Sequence, residues 1–230
     1  MAIRFTASNQ RMILTANAGN RSRLSVCGWY KLMVDRNTFS TLWSFSNTAD
    51  TNFLDLVTSE NGTSVFIGDE GTASISVTGS LSVGVWTYIG IAVNGTSTTW
   101  RWRTISAPTF TSYTRNVGTS THNCDRFTIA DIFPGSSDYF NGSYAAIKVW
   151  LDTTLTTNQL EQEYEQFDPV NTDGLYAYYR FATNSGVDSS GNNRHLSGGS
   201  GTTADSDPPG IPERLAPKTV IRGWGPIPIF

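Results

Sequence analysis

The sequence predicts a single-domain, all-β sandwich. Three observations favour it: short segments rich in β-branched and aromatic residues recur along the chain, Asn-Gly and other glycine-containing turns separate them, and only 15% of the 230 residues are charged. β-Branched and aromatic side chains fit a pleated, half-buried surface, and Asn-Gly pairs adopt the turns that join adjacent antiparallel strands. Sandwiches of this length commonly form one domain.

Eight short segments have the composition of β-strands. Asn61-Gly62 and Asn94-Gly95 are each flanked by two such segments, which predicts two hairpins. The predicted strands are 23–30, 53–57, 65–67, 86–93, 98–103, 127–130, 144–150 and 176–181.

One segment departs from this pattern and is predicted to be a helix. Thr156 and Gln159 have the spacing of a capping box, and apolar residues then recur at helical intervals at Leu160 and Tyr164. We therefore expect a short amphipathic helix over residues 158–167, lying on one end of the sandwich.

The composition changes near residue 197. Residues 197–210 are rich in Gly, Ser and Pro, which predicts a flexible linker between a sandwich of residues 1–196 and a tail of residues 211–230. The four prolines of the tail prevent a regular helix or a central strand, yet the tail is strongly apolar. Its large apolar residues are Ile211, Leu215, Val220, Ile221, Trp224, Ile227, Ile229 and Phe230.

An apolar tail of this kind indicates an interaction site, because exposed apolar stretches usually mark one. Two interpretations stay open: the tail folds back over its own sandwich, or it docks as an extended arm on a neighbouring subunit. Proline pre-sets the extended form and lowers the entropy lost on docking, which favours the arm. We therefore expect other protein subunits of a larger assembly as partners.

Composition and charge argue against several classes of function. The net charge is −3 and no Lys/Arg cluster occurs, so we expect no nucleic-acid partner. No apolar run is long enough to span a bilayer, so we expect no membrane insertion. The first residues lack a secretory signal, which predicts synthesis in the cytoplasm. Cys27 and Cys124 are too few for a disulfide framework, although a single bridge between them stays open.

The order and spacing of six segments between residues 3 and 196 carry a resemblance to a known family of domains. They are LSVCGWYK at 24–31, WTYIGIAV at 86–93, YFNGSYAAIKVW at 139–150, LTTNQL at 155–160, GLYAYYRF at 174–181 and DSSGNN at 188–193. The set resembles laminin-G-like, concanavalin-A-like domains. That resemblance implies a jelly roll of two antiparallel sheets. With the helix and the tail predicted above, the expected fold is an all-β jelly-roll sandwich with one short helix and an extended C-terminal tail. It implies little about activity, because this fold hosts lectins, glycanases, adhesion modules and virion proteins.

The segment Trp100-Arg101-Trp102-Arg103 stands where the resembled family usually has an Asp-Gly turn. On a strand, Trp100 and Trp102 share one face while Arg101 and Arg103 share the other. Exposed indole rings would form a carbohydrate-binding platform, whereas buried ones would pack in the core, the commoner use of Trp in a sandwich. In the second case the arginines would guard an edge strand against aggregation.

Asp188 is the candidate calcium ligand that the resemblance suggests. Domains of this family often bind calcium through an aspartate with asparagine side chains and carbonyl oxygens nearby, so Asn192, Asp131 and Asp138 are the candidate further ligands. The alternative, which the sequence favours, is a turn in which Asp188 bonds its own backbone without an ion.

Glu161, Glu163 and Glu165 are the candidate catalytic carboxylates. Glycanases on this fold place carboxylates at alternate strand positions, lining one face of a cleft. This segment has helical periodicity instead, which favours a solvated helix face and predicts no enzymatic activity. His122 and Cys124 are too few ligands for zinc, so a polar loop is the better interpretation there.

Three functions stay open on these grounds. The favoured one is a non-catalytic structural module on a virion surface, as a bacteriophage capsid decoration, fibre or tail protein anchored by its C-terminal tail. The second is a lectin-like module that binds a cell-surface glycan. The third, disfavoured by the helical periodicity of the glutamates, is a glycan-cleaving enzyme.

Overall fold

The computed structural model describes residues 1–7, 10–49, 51, 53–59, 64–69, 75–132, 138–182 and 185–209. The predicted docking tail, residues 211–230, lies outside this part of the chain. Within it, two antiparallel sheets pack face to face, which confirms the predicted sandwich. No helix of the described part is both long enough and apolar enough to cross a bilayer.

One helix and seventeen strands make up the described part of the chain. The helix α1 spans Thr157–Tyr164. In chain order the strands are β1 (Ala2–Phe5), β2 (Met12–Thr15), β3 (Asn20–Arg21), β4 (Arg23–Leu32), β5 (Ser40–Ser46), β6 (Leu54–Thr58), β7 (Ser64–Asp69), β8 (Ile75–Ser80), β9 (Trp86–Asn94), β10 (Ser97–Thr104), β11 (Thr111–Asn116), β12 (His122–Asn123), β13 (Arg126–Ile129), β14 (Gly142–Leu151), β15 (Leu175–Tyr179), β16 (Ser197–Gly198) and β17 (Thr203–Asp205).

The strands form two large sheets and a short ribbon. The first sheet has the order β11-β10-β9-β4-β14-β1-β17, and β15 also pairs with β14. The second sheet has the order β16-β2-β13-β5-β6-β7-β8, and β3 pairs with β12 in the ribbon. Both predicted hairpins are confirmed, because β6 pairs with β7 and β9 pairs with β10.

The main core lies between the two sheets. Successive side chains of a strand point to opposite faces, so every second residue reaches this core. Trp43 and Phe45 of β5 face inward, as do Phe127 of β13 and Tyr144 of β14. The rings of Phe127 and Tyr179 stack across the interface, with 6.4 Å between their centroids, which joins the two sheets directly.

A second apolar core covers the outer face of the first sheet. Trp29, Tyr88 and Trp150 point to this face and are buried there. Leu160 and Tyr164 of α1 pack on them, and the ring centroids of Trp29 and Tyr164 are 4.8 Å apart. The Tyr88 hydroxyl donates a hydrogen bond of 2.5 Å to the Leu160 carbonyl oxygen. Aromatic rings and the helix thus close this face of the sandwich.

The helix begins one residue before the predicted start, at Thr157, and ends sooner than predicted. Thr156 and Gln159 form both hydrogen bonds of the capping box. The helix ends at Tyr164 rather than at residue 167, and the chain after it still places Phe167 in the second core.

A buried ion pair fastens α1 to the first sheet. The side chains of Lys148 and Glu163 are 1% and 0% exposed, and Nζ of Lys148 lies 2.7 Å from Oε2 of Glu163. The same Nζ donates to the carbonyl oxygen of Gln166 at 2.9 Å. Oε1 of Glu163 accepts from the backbone N–H groups of Val170 and Asn171 at 3.0 and 2.7 Å. Each charge therefore has hydrogen bonds that compensate for the loss of water.

Two of the three candidate glutamates, Glu161 and Glu165, are on the solvated side that the helical periodicity predicts, whereas Glu163 lies on the buried side. Glu163 is buried, whereas Glu165 is exposed. Glu161 is partly exposed and accepts a hydrogen bond of 2.8 Å from Nε of Arg101. The helical periodicity was sufficient to predict the helix but not that one glutamate turns toward the sheet, where a lysine meets it.

A β-bulge in β14 sets the direction in which Lys148 points. The register with β4 shifts between Ala145 and Lys148, and Ala146 has a φ of 52°. The extra residue places both alanines in the second core, so Ile147 turns to the main core. Ile147 needs a glycine beside it, because a Cβ on Gly28 would lie 2.2 Å from its Cδ1.

Residues 197–209 belong to the sandwich, so the predicted linker and the predicted domain end at residue 196 are wrong. The strand β16 adds to β2 in the second sheet, and β17 adds to β1 in the first. Gly198 has a φ of 97°, and a Cβ there would lie 2.6 Å from the Arg11 carbonyl oxygen. Asp205 forms an ion pair of 2.7 Å with Lys31. The glycines permit close backbone approach here rather than flexibility.

Glu163→Gln is expected to lower the free energy of unfolding by about 3 kcal/mol, because it leaves the Lys148 ammonium buried without its counter-charge. The control Glu165→Gln makes the same chemical change at an exposed position and should cost less than about 0.5 kcal/mol. Urea unfolding followed by tryptophan fluorescence measures both. If both variants lost equally little free energy of unfolding, the ion pair would not be what fastens the helix to the sheet.

Candidate functional site

The outer face of the second sheet carries a row of mostly small and polar residues, which we call the polar row. Cross-strand pairing sets its members side by side across six strands: Ser197, Ile13, Thr128, Ser44, Asp55 and Gly68. Thr128, Ser44 and Asp55 are buried although they point away from the main core. The corresponding face of the first sheet carries the aromatic second core instead, so the outer faces of the two sheets differ in polarity.

Asp55 is a carboxyl group buried within the polar row. Its Oδ1 makes no hydrogen bond of normal geometry with the described residues. It lies against Gly68, where a Cβ would come within 2.1 Å of Oδ1, so a larger residue there would require the Asp55 carboxyl group to move. Burial raises the pKa of Asp55 to about 7; the Gly68 backbone opposes this rise, and the charges of Asp138 and Asp69 add to it. Buried, poorly satisfied acids concentrate at functional sites.

The connection between β13 and β14 begins on top of the polar row. The Ser44 hydroxyl donates a hydrogen bond of 2.7 Å to the Ile132 carbonyl oxygen. The buried Asp131 carboxylate accepts from the Ile132 N–H at 2.8 Å through Oδ1, and its Oδ2 lies 3.8 Å from Nη1 of Arg11. The start of this connection is therefore fixed over β5 by its own backbone and side chains.

The same connection returns to the sandwich beside the loop between β4 and β5. We call residues 33–39 and 138–141 together the rim. The Thr41 N–H donates to the Asp138 carbonyl oxygen at 2.6 Å, and the Met33 N–H donates to the Asn141 carbonyl oxygen at 3.0 Å. These hydrogen bonds hold both parts of the rim next to the start of β5, the strand that contributes Ser44 to the polar row.

The rim displays a planar cation and two aromatic rings. The Arg36 guanidinium carbon lies 3.6 Å from the ring centroid of Tyr139, and Nη1 of Arg36 donates to the Tyr139 carbonyl oxygen at 2.9 Å. Phe39 is 39% exposed, two residues before the Thr41 that pairs with Tyr139. Asn37 is exposed on the same loop, and its N–H donates to Oδ1 of Asp35 at 3.0 Å. Aromatic, guanidinium, carboxyl and amide groups thus occur within one short loop and its neighbour.

The aromatic pair that the sequence suggested as a ligand platform lies inside the sandwich. Trp100 and Trp102 are 0% and 6% exposed in the main core, which excludes them as a surface for sugar stacking. Nε1 of Trp100 donates to the Thr98 hydroxyl at 3.1 Å. Both tryptophans therefore pack in the core, which is the interpretation that their sequence position favoured.

The two arginines between those tryptophans support the helix instead of binding a ligand. Nε of Arg101 donates to Glu161 at 2.8 Å, and the Arg103 guanidinium lies 4.4 Å from the ring centroid of Tyr164. The strand that carries them, β10, pairs with β9 on one side and β11 on the other. It is therefore not an edge strand, and the expected guarding role is wrong.

The candidate calcium ligands are divided between two places. Both carboxylate oxygens of Asp188 are occupied: Oδ1 accepts from the N–H groups of Tyr178 and Ser190, and Oδ2 accepts from the Arg194 N–H and the Ser190 hydroxyl. Burial opposes ionisation of Asp188, but these hydrogen bonds outweigh it and lower the pKa. This is the turn that the sequence favoured.

The remaining candidate ligands do not gather around Asp188. Nδ2 of Asn192 donates to the Leu175 carbonyl oxygen at 2.9 Å, so this side chain braces β15. Asp131 contacts β5 and Arg11 of the second sheet, and Asp138 belongs to the rim. Among the residues described, no three His, Cys, Asp or Glu side chains are grouped as a metal site.

Both cysteines are free and buried, in different cores. Cys124 lies in the main core and Cys27 in the second core. Burial raises the pKa of each thiol to about 12, which makes both unreactive near neutral pH. The Cys27–Cys124 bridge that the sequence left open therefore does not form in this fold.

Comparison with known proteins supports the fold and leaves the function open. No family model and no curated protein matches the chain. Among solved structures it is similar to a "putative carbohydrate binding protein" of Bacteroides ovatus, with a TM-score of 0.64, 16% identity, and coverage of 88% of this chain and 58% of that one. It is also similar to tailspike protein 2 of an Escherichia coli O157:H7 bacteriophage, with a TM-score of 0.55, 17% identity, and coverage of 77% of this chain and 26% of that one.

A third similar structure is the heptameric SAP-like pentraxin of Limulus polyphemus, with a TM-score of 0.52, 16% identity, and coverage of 70% of this chain and 80% of that one. The chain thus spans about three fifths of the Bacteroides protein and a quarter of the tailspike. Likeness at these identities defines the fold: a jelly roll of the pentraxin and concanavalin-A-like type.

Sequence reasoning did not single out Asp55, Arg36, Phe39 or Tyr139 as site residues. A signal was present for Asp55, a lone acid between Leu54 and Leu56 in a predicted strand. Alternation indicates that such a residue points away from the core, but alternation alone does not predict that it is buried there. The rim residues carry no motif, because their proximity depends on the turn geometry of two separate loops.

Asp55→Asn is expected to stabilise the protein more at about pH 8 than at about pH 5. The folded-state pKa of Asp55 is raised above its unfolded value, so the wild type loses stability as pH rises from about 4 to 7, and the amide removes that loss. Thermal unfolding across this pH range measures the difference, with Asp173→Asn as the exposed control. If the stability of Asp55→Asn depended on pH in the same way as that of the wild type, the burial of a titrating carboxyl group at this position would be contradicted.

Proposed function

We propose that the protein is a non-catalytic carbohydrate-binding jelly roll whose binding site is the rim beside the polar row. The observation that carries the proposal is the exposed Phe39 ring next to the Arg36 guanidinium stacked on Tyr139. The rim is held at the start of β5, the strand that contributes Ser44 to the polar row, whereas aromatic packing covers the outer face of the first sheet.

The chemistry of the rim matches the two kinds of surface that a sugar presents. The C–H face of a pyranose ring packs on an aromatic face, a contact that Phe39 offers. Sugar hydroxyls need donors and acceptors, which Asn37 and the carboxylates of Asp35 and Asp138 supply. The similarity to the Bacteroides protein described as carbohydrate binding supports the same ligand class.

A non-catalytic role is supported by what the candidate glutamates already do. Glu163 is buried against Lys148 and two backbone N–H groups, and Glu161 pairs with Arg101. Neither carboxylate lies on the side of the polar row, because both belong to the helix that covers the first sheet. Glycoside hydrolysis needs two carboxyl groups flanking one glycosidic bond, an arrangement that these residues do not offer.

The second part of the proposal is a place on a virion surface, with residues 211–230 as the anchor to other subunits. The similarity to a bacteriophage tailspike protein supports it, since the part that this chain resembles is 26% of that protein. A module that holds its partner through an apolar tail leaves the jelly roll displayed outward, where a cell-surface glycan can reach the rim.

Phe39→Ala is expected to weaken binding of the best glycan in an array by about tenfold, because it removes the stacking surface. The melting temperature should stay unchanged, since the ring is exposed. Val187→Ala, which also trims an exposed apolar side chain, is the matched control and should bind as the wild type does. Isothermal titration calorimetry measures all three proteins. Equal affinity of Phe39→Ala and wild type would contradict the rim as the binding site.

A chain that ends at Pro209 is expected to keep the melting temperature of the full chain but to form smaller assemblies. It retains β16, β17 and the ion pair between Asp207 and the N-terminal amine of Met1. Native mass spectrometry at equal concentration compares the assembled masses. Identical mass distributions for the two chains would contradict an anchoring role for residues 211–230.

A further inference from the structure

We propose that β11 is a self-pairing edge, through which two copies of this chain join their first sheets into one continuous sheet. The strand is the end of the first sheet and pairs only with β10 among the described residues. An unpaired edge offers a row of backbone N–H and C=O groups, which is a template for another strand.

The length and regularity of β11 distinguish it from the other sheet edges. Six consecutive residues, Thr111–Asn116, pair with β10 without a bulge, and five of the six are exposed. The strand contains no proline, glycine or lysine. Proteins usually protect an edge of this length with proline, several charged side chains, a bulge or a covering segment, and the sequence of β11 supplies only the single charge of Arg115.

The chain does shorten or disrupt its other edges. At the opposite end of the first sheet, β17 has three residues, and its Asp205 is held by Lys31 and Ser143. In the second sheet, β16 has two residues, and the register of β8 shifts against β7. The contrast indicates that β11 is kept open for a partner.

The residues of β11 are complementary to a second copy of themselves. A two-fold axis perpendicular to the sheet through Thr114 places Tyr113 of each copy opposite Arg115 of the other, and Ser112 opposite Asn116. Arginine over an aromatic ring is a favourable cross-strand pair, and within one chain the Arg115 guanidinium already lies 6.0 Å from the Tyr113 ring centroid. No like charges face each other in this register. Closed two-fold pairs are also the commonest arrangement of identical chains.

A disulfide trap in the full chain tests this register. In an antiparallel pair, residues directly opposite have Cα atoms about 4.5–5.5 Å apart, which a disulfide can bridge. Thr114→Cys should therefore form an intermolecular disulfide under mild oxidation. Ser112→Cys, two residues away on the same face, should not, because its counterpart lies about 13 Å distant along the strand. The buried native cysteines give no background.

The expected result is a covalent dimer of Thr114→Cys on a non-reducing gel, several-fold more abundant than that of Ser112→Cys. A second readout is hydrogen exchange at 111–116: Thr114→Lys sets two lysines face to face, so it should raise the exchange rate of the outward amides about tenfold or more over wild type. Equal cross-linking at both positions, or unprotected outward amides in wild type, would overturn the proposal. So would amides that stay protected in Thr114→Lys, which would show that another segment covers the edge.

Discussion

The ion pair between Lys148 and Glu163 holds the helix α1 on the outer face of the first sheet. It lies at the junction of β14, α1 and the segment after the helix, and its hydrogen bonds reach Gln166, Val170 and Asn171. A buried pair adds little net stability, but losing one partner leaves an uncompensated charge. Its main effect is therefore positional: it holds the aromatic side of α1 on the first sheet, and that face is covered.

The outer face of the second sheet is polar instead, and its buried polar groups lower the stability of the fold. Asp55 is buried with an oxygen that lacks a normal hydrogen bond, and Gly68 leaves the space in which it sits. A strand position of this kind would be more stable with an apolar residue. Retention of a costly carboxyl group in the middle of a sheet is more often found near a functional site than on a purely structural face.

The sequence was sufficient to predict those features that depend on local pattern. The hairpin at Asn94-Gly95 and the capping box at Thr156 follow from neighbouring residues alone, and both are confirmed. Predictions failed where distant segments meet. The ion pair of Glu163 was not predicted because its lysine partner is on β14, and the glycines of 197–201 were assigned to a linker because the strands they contact are near the N-terminus. The candidate site residues were also missed, because they are brought together by segments that are distant in the sequence.

The most direct test of the central claim maps where a glycan binds. Hydrogen–deuterium exchange of the full chain, with and without the glycan that binds best in an array, separates the two faces. The account predicts that protection is gained in residues 33–46 and 126–141, which include the rim and part of the polar row. It also predicts no change in residues 157–171, which the ion pair already protects. Protection gained at the helix and not at the rim would contradict it.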